Sequence, residues 1–430
     1  MTIPLLLAIV VLSGARAGAA SPHSSPPPLD TEKAAAAARI ADPEAATRGY
    51  LDAVPAERRA KTKAYAFGNY VLSFVDAVWD GLVYAALLGF GVSARLRDRA
   101  ERLTPSPSLQ VVAYFVPFLG LATLVAFPLT VYRSYFREKA YGLLTQGLAD
   151  WLLDRVKALG LGALFGSLVL MGLYAVLRRK PRSWWLWGAA VVLAFEIVGV
   201  ALGPVFIAPI FNKYTPVHDE AIRQSILAMA HAKGIPADDV YETDISRRSD
   251  RITAFVAGAL GTTRVVMGDT ALKRCTPDEI RMIMGHEMGH YALHHIWRGI
   301  AFSGVVIVLG FLFVRWGFAW ACGRWPGMGV GGIGDVAGLP LFLLLLSVFF
   351  SVAAPVINTH TRALETEADQ FGLDASRAPD AAATVFLKLG EYRDLDPHPL
   401  VERLIFDHPS GRNRIRHAMD WKAANAAGAP

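Results

Sequence analysis

Charged residues are scarce in this chain of 430 residues. Only 19% of the residues are Asp, Glu, Lys or Arg, against about 25% in an average soluble domain. By contrast, 53% are hydrophobic, and the mean hydropathy is +0.34. This composition excludes a disordered or collagen-like chain and makes an ordinary cytosolic enzyme a poor match. It indicates an integral membrane protein.

Cysteine is nearly absent as well. Cys275 and Cys322 lie far apart and match neither a metal-ligand nor a redox spacing, so a disulfide scaffold is excluded. A basic stripe within a polar domain is also missing, although the net charge is +6. The basic residues instead form short clusters beside apolar runs, at 95–102 and 178–182, as they do beside membrane spans. We therefore expect a lipid bilayer, and no nucleic acid, as a partner.

The N-terminal region begins with an apolar run followed by small residues in A-x-A patterns, over residues 1–20. This pattern is typical of a signal peptide, and because no Lys or Arg precedes the run, an uncleaved first span is the alternative. Residues 21–66 are rich in Pro, Ser, Ala and charges of both signs. We interpret them as a linker with a short helix.

Long apolar runs are what the chain has in abundance. The runs are 67–93, 109–132, 157–177, 183–211, 299–323 and 336–358. Each can cross a hydrocarbon layer of ~30 Å, which takes about 20 helical residues. They predict four transmembrane helices over 67–211 and two over 299–358, with polar segments at 212–298 and 359–430. The predicted fold class is an all-α multi-pass membrane bundle of six or seven transmembrane helices, seven if residues 1–20 remain.

Charged residues interrupt several of these runs, namely Asp76, Asp80, Glu196 and Arg315. A charge at the centre of a bilayer costs about 2.5–3.5 kcal/mol on insertion scales, so such residues usually face the interior of a bundle. They indicate either polar contacts between helices or a hydrated cavity within the bundle.

A helix start is encoded in the first polar segment. Thr276 can cap a helix, Pro277 suits its first position, and Glu279 completes a T-x-x-E capping box. We therefore predict a helix that begins here and continues through the sequence HEMGH at 286–290.

The HEMGH sequence has the H-E-x-x-H pattern of zinc peptidases. The spacing of His286 and His290 places both imidazoles on one helix face, where they can share one zinc ion per chain. Glu287 lies beside the first histidine and is predicted to act as the general base on water.

Two imidazoles do not complete a zinc site, because a catalytic site has three protein ligands. A third histidine six positions after His290 would mark a metzincin, but Ile296 stands there. His294 is one further turn along the helix, and we expect it beside the site rather than in it.

The second polar segment supplies carboxylates in TRALETEADQFG, residues 361–372. Glu365 and Asp369 are four positions apart and share a helix face, whereas Glu367 points elsewhere. We predict that Glu365 is the third zinc ligand and that Asp369 orients an imidazole through its free ring nitrogen. A solvated acidic helix start is the alternative.

Two β-rich runs precede the zinc helix, at 252–257 and 263–267, and are joined through Gly258 and Gly261. Short strands beside a zinc helix can present an edge to which a peptide adds as a further strand. A plain hairpin is the alternative. These runs form the small β element of the predicted zinc metallopeptidase domain.

The order and the residues of these motifs resemble those of the type I CAAX prenyl endopeptidases, membrane zinc proteases that cut prenylated peptides near the C-terminus. The matching stretches are REKAYGLLTQ (137–146), IAPIFNKYTP (207–216), SRRSDRITAF (246–255), HEMGH (286–290), RALETEAD (362–369) and DHPSGRNRI (407–415). The resemblance implies seven transmembrane helices around a large water-filled chamber, with the zinc site facing inside.

The resemblance also implies roles for residues outside the zinc motifs. Thr253, Ala254 and Phe255 would form the strand that binds substrate. His408 would stabilise the oxyanion of the reaction. Arg414 would contact substrate or brace the site.

This chain departs from the family pattern in two places. The substrate strand usually carries Asn where Thr253 stands, so a side-chain hydrogen bond to substrate is in question. The closing segment has Ser410 and Asn413 in place of a Pro and a Glu. Arg412 therefore competes with Arg414 for the role described above.

The sequence thus predicts a zinc-dependent membrane endopeptidase with a peptide or protein substrate, lipidated if the resemblance extends to specificity. Two alternatives stay open: a peptidase that trims misfolded membrane proteins, and a transporter or scaffold with a structural zinc site. The open fourth ligand position and the adjacent Glu287 argue against the latter. The resemblance implies a cytoplasmic peptidase segment, whereas cleavage of residues 1–20 would place that segment outside. The membrane would be the cell or inner membrane in a bacterium and of endoplasmic-reticulum type in a eukaryote.

Overall fold

The computed structural model describes residues 28–257 and 263–426. Within them, the helices are α1 (Thr31–Ala37), α2 (Pro43–Asp52), α3 (Ala56–Gly89), α4 (Val92–Leu103), α5 (Pro107–Ala140), α6 (Leu148–Arg179), α7 (Trp184–Phe211), α8 (Glu220–Ala232), α9 (Asp269–Arg274), α10 (Pro277–Ala292), α11 (His295–Arg324), α12 (Leu339–Ser376), α13 (Pro379–Leu389), α14 (Pro399–Ile405) and α15 (Gly411–Ala426). The strands are β1 (Tyr214–Pro216), β2 (Val240–Thr243), β3 (Ala254–Ala257) and β4 (Arg264–Gly268). The interpretation of residues 1–20, and the turn glycines Gly258 and Gly261, fall outside the described residues.

Six helices in the described part of the chain are long and apolar enough to cross a membrane: α3, α5, α6, α7, α11 and α12. They coincide with the six apolar runs, and the predicted all-α multi-pass membrane bundle is confirmed. Helix α12 differs from the expectation because it continues beyond position 358 to Ser376, where Arg377 adopts a left-handed conformation with φ 50°. The last membrane span and the helix that carries Glu365 are therefore one continuous helix.

The membrane helices pack tightly at their two ends. Among the described residues of α3, the buried ones lie at 58–66 and 87–88, and those of α12 lie at 339–342 and 364–376. One hydrophobic core surrounds the polar segments, and a second lies at the opposite end of the bundle. Between these two ends, the residues of α3 and α12 are only partly buried or exposed in the isolated chain.

The interpretation of 21–66 as a linker requires a correction. Helices α1 and α2 belong to the core around the polar segments, where Ala46 and Tyr50 are each 1% exposed. The hydroxyl of Tyr50 donates a hydrogen bond to Asp380 on α13 (2.8 Å). From Ala56 onward the chain is already helix α3. The alanine-rich composition concealed a short apolar face that becomes buried only against α13 and α15.

A four-stranded sheet lies beside the zinc-motif helix in the described residues, with the strand order β1-β2-β4-β3. Strands β3 and β4 pair antiparallel, β2 and β4 parallel, and β1 and β2 antiparallel. The sequence predicted β3 and β4, which are neighbours in the chain, but not β1 and β2, because the partners of these strands lie farther away in the sequence. Strand β3 occupies the edge of the sheet and packs against α10.

Three of the charged residues within the apolar runs make polar contacts between segments. Asp76 forms an ion pair with Arg133. Both carboxylate oxygens of Glu196 lie 2.8 Å from the hydroxyl of Ser303, which joins α7 to α11. Arg315 donates a hydrogen bond to a backbone carbonyl in the turn between α6 and α7 (3.0 Å). At these three positions the charges therefore mark polar contacts between segments, the first of the two interpretations given above.

Candidate metal centre

Helix α10 begins where its sequence predicted. The side chain of Thr276 accepts a hydrogen bond from the backbone N–H of Glu279, whose carboxylate accepts one from the N–H of Thr276 (2.8 Å). The capping box is thus confirmed, and it sets the rotational phase of the helix. Glu279 also contacts Lys388 and Thr384 of α13, which ties this end of α10 to the core.

The histidines of α10 and a carboxylate of α12 point at one another. The Nε2 atoms of His286 and His290 are 3.2 Å apart. One oxygen of Glu365 lies 3.4 Å from Nε2 of His286, and the other lies 3.5 Å from Nε2 of His290. Ligands bound tetrahedrally at 2.0–2.1 Å are separated by about 3.3 Å, and the distances between neighbouring atoms of these three side chains are close to that value. The residues present therefore fit a metal ion.

Close packing of α10 against α12 makes this approach possible. Gly285 faces Gly372, and a Cβ added to Gly285 would lie 3.1 Å from the Cα of Gly372. A Cβ added to Gly372 would lie 2.9 Å from the backbone N of His286. The two glycines therefore allow the backbones of the helices to touch, which brings Glu365 within reach of the histidines.

Asp369 contacts His286 at Nδ1, the ring nitrogen that does not face His290. Its carboxylate lies 2.8 Å from Nδ1 of His286, and it accepts hydrogen bonds from Nε (2.8 Å) and a second nitrogen (2.5 Å) of Arg414. The guanidinium of Arg414 also lies over the ring of Phe386, 4.1 Å from its centroid. Arg412 instead contacts Glu44 and Asp396, away from the histidines. Of the two arginines, only Arg414 reaches the centre.

The electrostatics of the two imidazoles differ. Burial opposes protonation of His286, but hydrogen bonds with Asp369 and Glu365 outweigh it and raise its pKa to about 10. Burial, together with the positive charge of His286, lowers the pKa of His290 to about 4. At neutral pH His290 therefore presents a lone pair, whereas His286 must lose a proton when a metal ion binds.

Glu287 faces a cavity of about 290 Å³ beside the histidines. Burial raises the pKa of its carboxyl group to about 7, and the negative charge of Glu365 acts in the same direction. A carboxyl group with a pKa near neutrality can both accept and return a proton. The position and the pKa of Glu287 therefore suit proton transfer within this cavity.

His408 lines the same cavity from the C-terminal segment. Its Nε2 lies 3.3 Å from Glu365, and its Nδ1 lies 2.9 Å from the carboxylate of Asp407. The hydrogen bond from His408 holds the pKa of Asp407 near 2. Asp407 is the partner that orients this ring, and its role was not predicted from the sequence.

The predicted substrate strand also lies at the cavity. Thr253 and Ala254 line it, whereas Phe255 does not. Ala254 and Phe255 lie in β3, and the carbonyl of Thr253 accepts a hydrogen bond from the N–H of Gly268 (2.7 Å). Within the described residues, no strand pairs with the outer edge of β3.

The position of His294 differs from the expectation, and the neighbouring histidine was missed. Helix α10 ends at Ala292, and His294 adopts a left-handed conformation with φ 57°. This residue is therefore not on the face that carries His290. His295, the first residue of α11, places its Nδ1 3.0 Å from Nδ1 of His290. A second histidine directly after His294 was the available sequence signal.

Two family models match this chain. A model described as the CAAX prenyl protease N-terminal region, with five membrane helices, matches residues 43–213. The model of peptidase family M48 matches residues 216–422. The first match covers α2 through α7, and the second covers strands β2 to β4, helices α10 and α12, and the C-terminal segment as far as position 422.

Similar proteins agree with these matches. The uncharacterized metalloprotease YhfN of Bacillus subtilis is 31% identical over 362 residues, which are 84% of this chain and 85% of the relative. CAAX prenyl protease 1 of Saccharomyces cerevisiae is 27% identical over 334 residues, 73% of each protein. The crystal structure of S. mikatae Ste24p has a TM-score of 0.73 at 19% identity over 97% of this chain and 99% of that one, which shows a shared fold. The chain is a multi-pass membrane metalloprotease that belongs to peptidase family M48, among the CAAX prenyl proteases.

Proposed function

We propose that this protein is a zinc-dependent endopeptidase and that His286, His290 and Glu365 bind one zinc ion per chain. The close approach of these side chains carries the proposal: the two Nε2 atoms are 3.2 Å apart, and each lies 3.4–3.5 Å from one of the two oxygens of the Glu365 carboxylate. Two imidazoles and one carboxylate are the ligands of catalytic zinc sites in which one position stays open. When bound, zinc lowers the pKa of a water molecule to about 7 and polarises a carbonyl group.

Glu287 is the general base in this proposal. Its carboxylate accepts a proton from the attacking water and returns it to the amine that leaves. The pKa of about 7 supports both steps, because the group is then poised between its two protonation states at neutral pH. Asp369 accepts the Nδ1 proton of His286 and so keeps the Nε2 lone pair of that ring directed at the metal position.

The substrate is an extended peptide that adds to the free edge of β3. Within the segment of Thr253, Ala254 and Phe255, the carbonyl of Thr253 already bonds to β4, so alternation along the strand leaves the backbone groups of Ala254 to pair with the peptide. This pairing would bring the scissile bond to the cavity that Glu287 lines. His408 lines the same cavity and would donate a hydrogen bond to the oxyanion as it develops. Arg414 holds Asp369 and also lines this cavity, so it can both brace the site and contact the substrate.

We further propose that the peptide is lipidated. The yeast relative is named a CAAX prenyl protease, and in this chain the helix that supplies Glu365 is itself a membrane span. A substrate anchored in the bilayer by a lipid chain would approach this helix from the membrane. Its peptide would then lie close to the end of α12 that carries the metal site.

Purified protein in detergent tests the proposal with two peptides that differ only in a prenyl group. Cleavage should stop with a chelator, return with zinc, and favour the prenylated peptide. Glu287→Gln should retain zinc and fold but lose about 10²–10⁴-fold in rate, because an amide cannot accept the proton. Substantial activity in the zinc-loaded Glu287→Gln variant would contradict the base assignment, and equal cleavage of both peptides would contradict the lipidated substrate.

A further inference from the structure

A third imidazole lies behind the metal site. His295 is 4% exposed, and its Nδ1 lies 3.0 Å from Nδ1 of His290. Its Nε2 lies 3.2 Å from the carboxylate of Glu367. Both oxygens of that carboxylate also accept hydrogen bonds from the guanidinium of Arg298. Arg298, Glu367, His295 and His290 therefore form an uninterrupted chain of polar contacts from α11 and α12 to the site.

The path of the backbone creates this contact. In an uninterrupted helix, residues five positions apart point about 140° away from each other, so His295 would face away from His290. The chain instead leaves α10 at Ala292 and turns through the left-handed residue His294, with φ 57°. Helix α11 then starts at His295 in a new direction, and its first side chain returns to the ring of His290.

The arrangement of donors and acceptors determines which nitrogen carries each proton. Two hydrogen bonds from Arg298 hold Glu367 as a carboxylate, which can only accept. Nε2 of His295 therefore donates to Glu367, and the remaining nitrogen of that neutral ring, Nδ1, is an acceptor. Nδ1 of His290 donates to it, which leaves the lone pair of His290 on Nε2, the atom 3.2 Å from Nε2 of His286.

We propose that His295 is a positioning residue for the metal site, held by Glu367 and Arg298, that orients His290 and fixes its tautomer. The inference rests on the proposed metal site and adds the means by which its second imidazole is held. Asp369 supports His286 directly, with a distance of 2.8 Å, whereas Glu367 supports His290 through one intervening ring. Carboxylates on opposite faces of α12 thus serve the two histidines separately.

This role predicts an effect on metal affinity. Without an acceptor for its Nδ1 proton, the ring of His290 can rotate and can place the proton on either nitrogen. Loss of such a supporting hydrogen bond typically weakens metal binding by about 10–100-fold. The loss should follow the removal of the hydrogen-bond acceptor and not the removal of side-chain volume.

Replacing His295 with leucine and with asparagine distinguishes loss of the hydrogen-bond acceptor from loss of side-chain volume. The side chains have nearly the same shape, but the Asn carbonyl oxygen can accept the His290 proton from the position that Nδ1 of histidine occupies. His294→Asn is the matched control, because Asn tolerates the left-handed backbone of that position. Zinc affinity is measured by competition with a chelator, with all variants built in the Glu287→Gln protein so that the result does not depend on hydrolysis.

We expect His295→Leu to bind zinc about 10–100-fold more weakly than the parent protein, and His295→Asn to recover most of that loss. His294→Asn should bind like the parent. Equal losses in His295→Leu and His295→Asn, or no loss in either, would overturn the inference while the zinc site stands. If the parent protein itself binds no zinc, the proposed function fails and the inference fails with it.

Discussion

Replacing Arg414 with glutamine should destabilise the protein, because it leaves the carboxylate of Asp369 buried without its cation. The side chain of Asp369 is 2% exposed and that of Arg414 is 11% exposed. Removing one partner of a buried ion pair costs about 3–5 kcal/mol. Since His286 still contacts Asp369, we expect the lower value, about 3 kcal/mol. At about 2 °C per kcal/mol, the thermal midpoint should fall by roughly 6 °C.

Arg412→Gln is the matched control, because the same change is made two residues away in an exposed ion pair. The side chain of Arg412 is 39% exposed, and pairs of this kind contribute about 0–1 kcal/mol. The midpoint should therefore fall by less than about 2 °C. The assay is thermal unfolding of each variant in one detergent with a chelator present, so that metal binding does not contribute.

A double variant tests the cause of the destabilisation. Combining Arg414→Gln with Asp369→Asn removes the uncompensated charge, and the midpoint should recover part of the loss. The reasoning is refuted if Arg412→Gln and Arg414→Gln lower the midpoint equally. It is also refuted if the double variant is less stable than Arg414→Gln alone.

The remaining predictions concern the third ligand, the helix contact and the topology. Glu365→Ala should strip zinc from the purified protein, whereas Glu367→Ala should retain about one zinc per chain at saturating zinc; metal analysis showing the reverse would contradict the site geometry. Gly372→Ala should lower both metal content and thermal midpoint, because its Cβ would lie 2.9 Å from the backbone N of His286; Gly299→Ala, a helix position with no atom within 4 Å, should lower neither. A reporter fused to the C-terminus should be active in the cytoplasm, as the family resemblance implies, and activity confined to the exterior would reverse this orientation.

Several features were predictable because they depend on residues close together in the sequence. The apolar runs specify membrane helices through composition alone, and Thr276 with Glu279 specifies the start of α10 within one helical turn. The i, i+4 spacing likewise puts Glu365 and Asp369 on one face of α12. That these two carboxylates are the ligand and its support stays a prediction, although the structure places both beside His286.

Tertiary structure decided the features that depend on how separate segments meet. The sequence showed two histidines after the motif, but only the left-handed turn at His294 brings His295, rather than His294, to His290. Likewise, only the packing of α15 distinguishes Arg414 from Arg412, which are equivalent by charge and lie two positions apart. The physical reason is the same in both cases. Local propensity and periodicity determine which face a side chain occupies within its own helix, whereas its partner across the interface depends on the angle at which the next segment arrives.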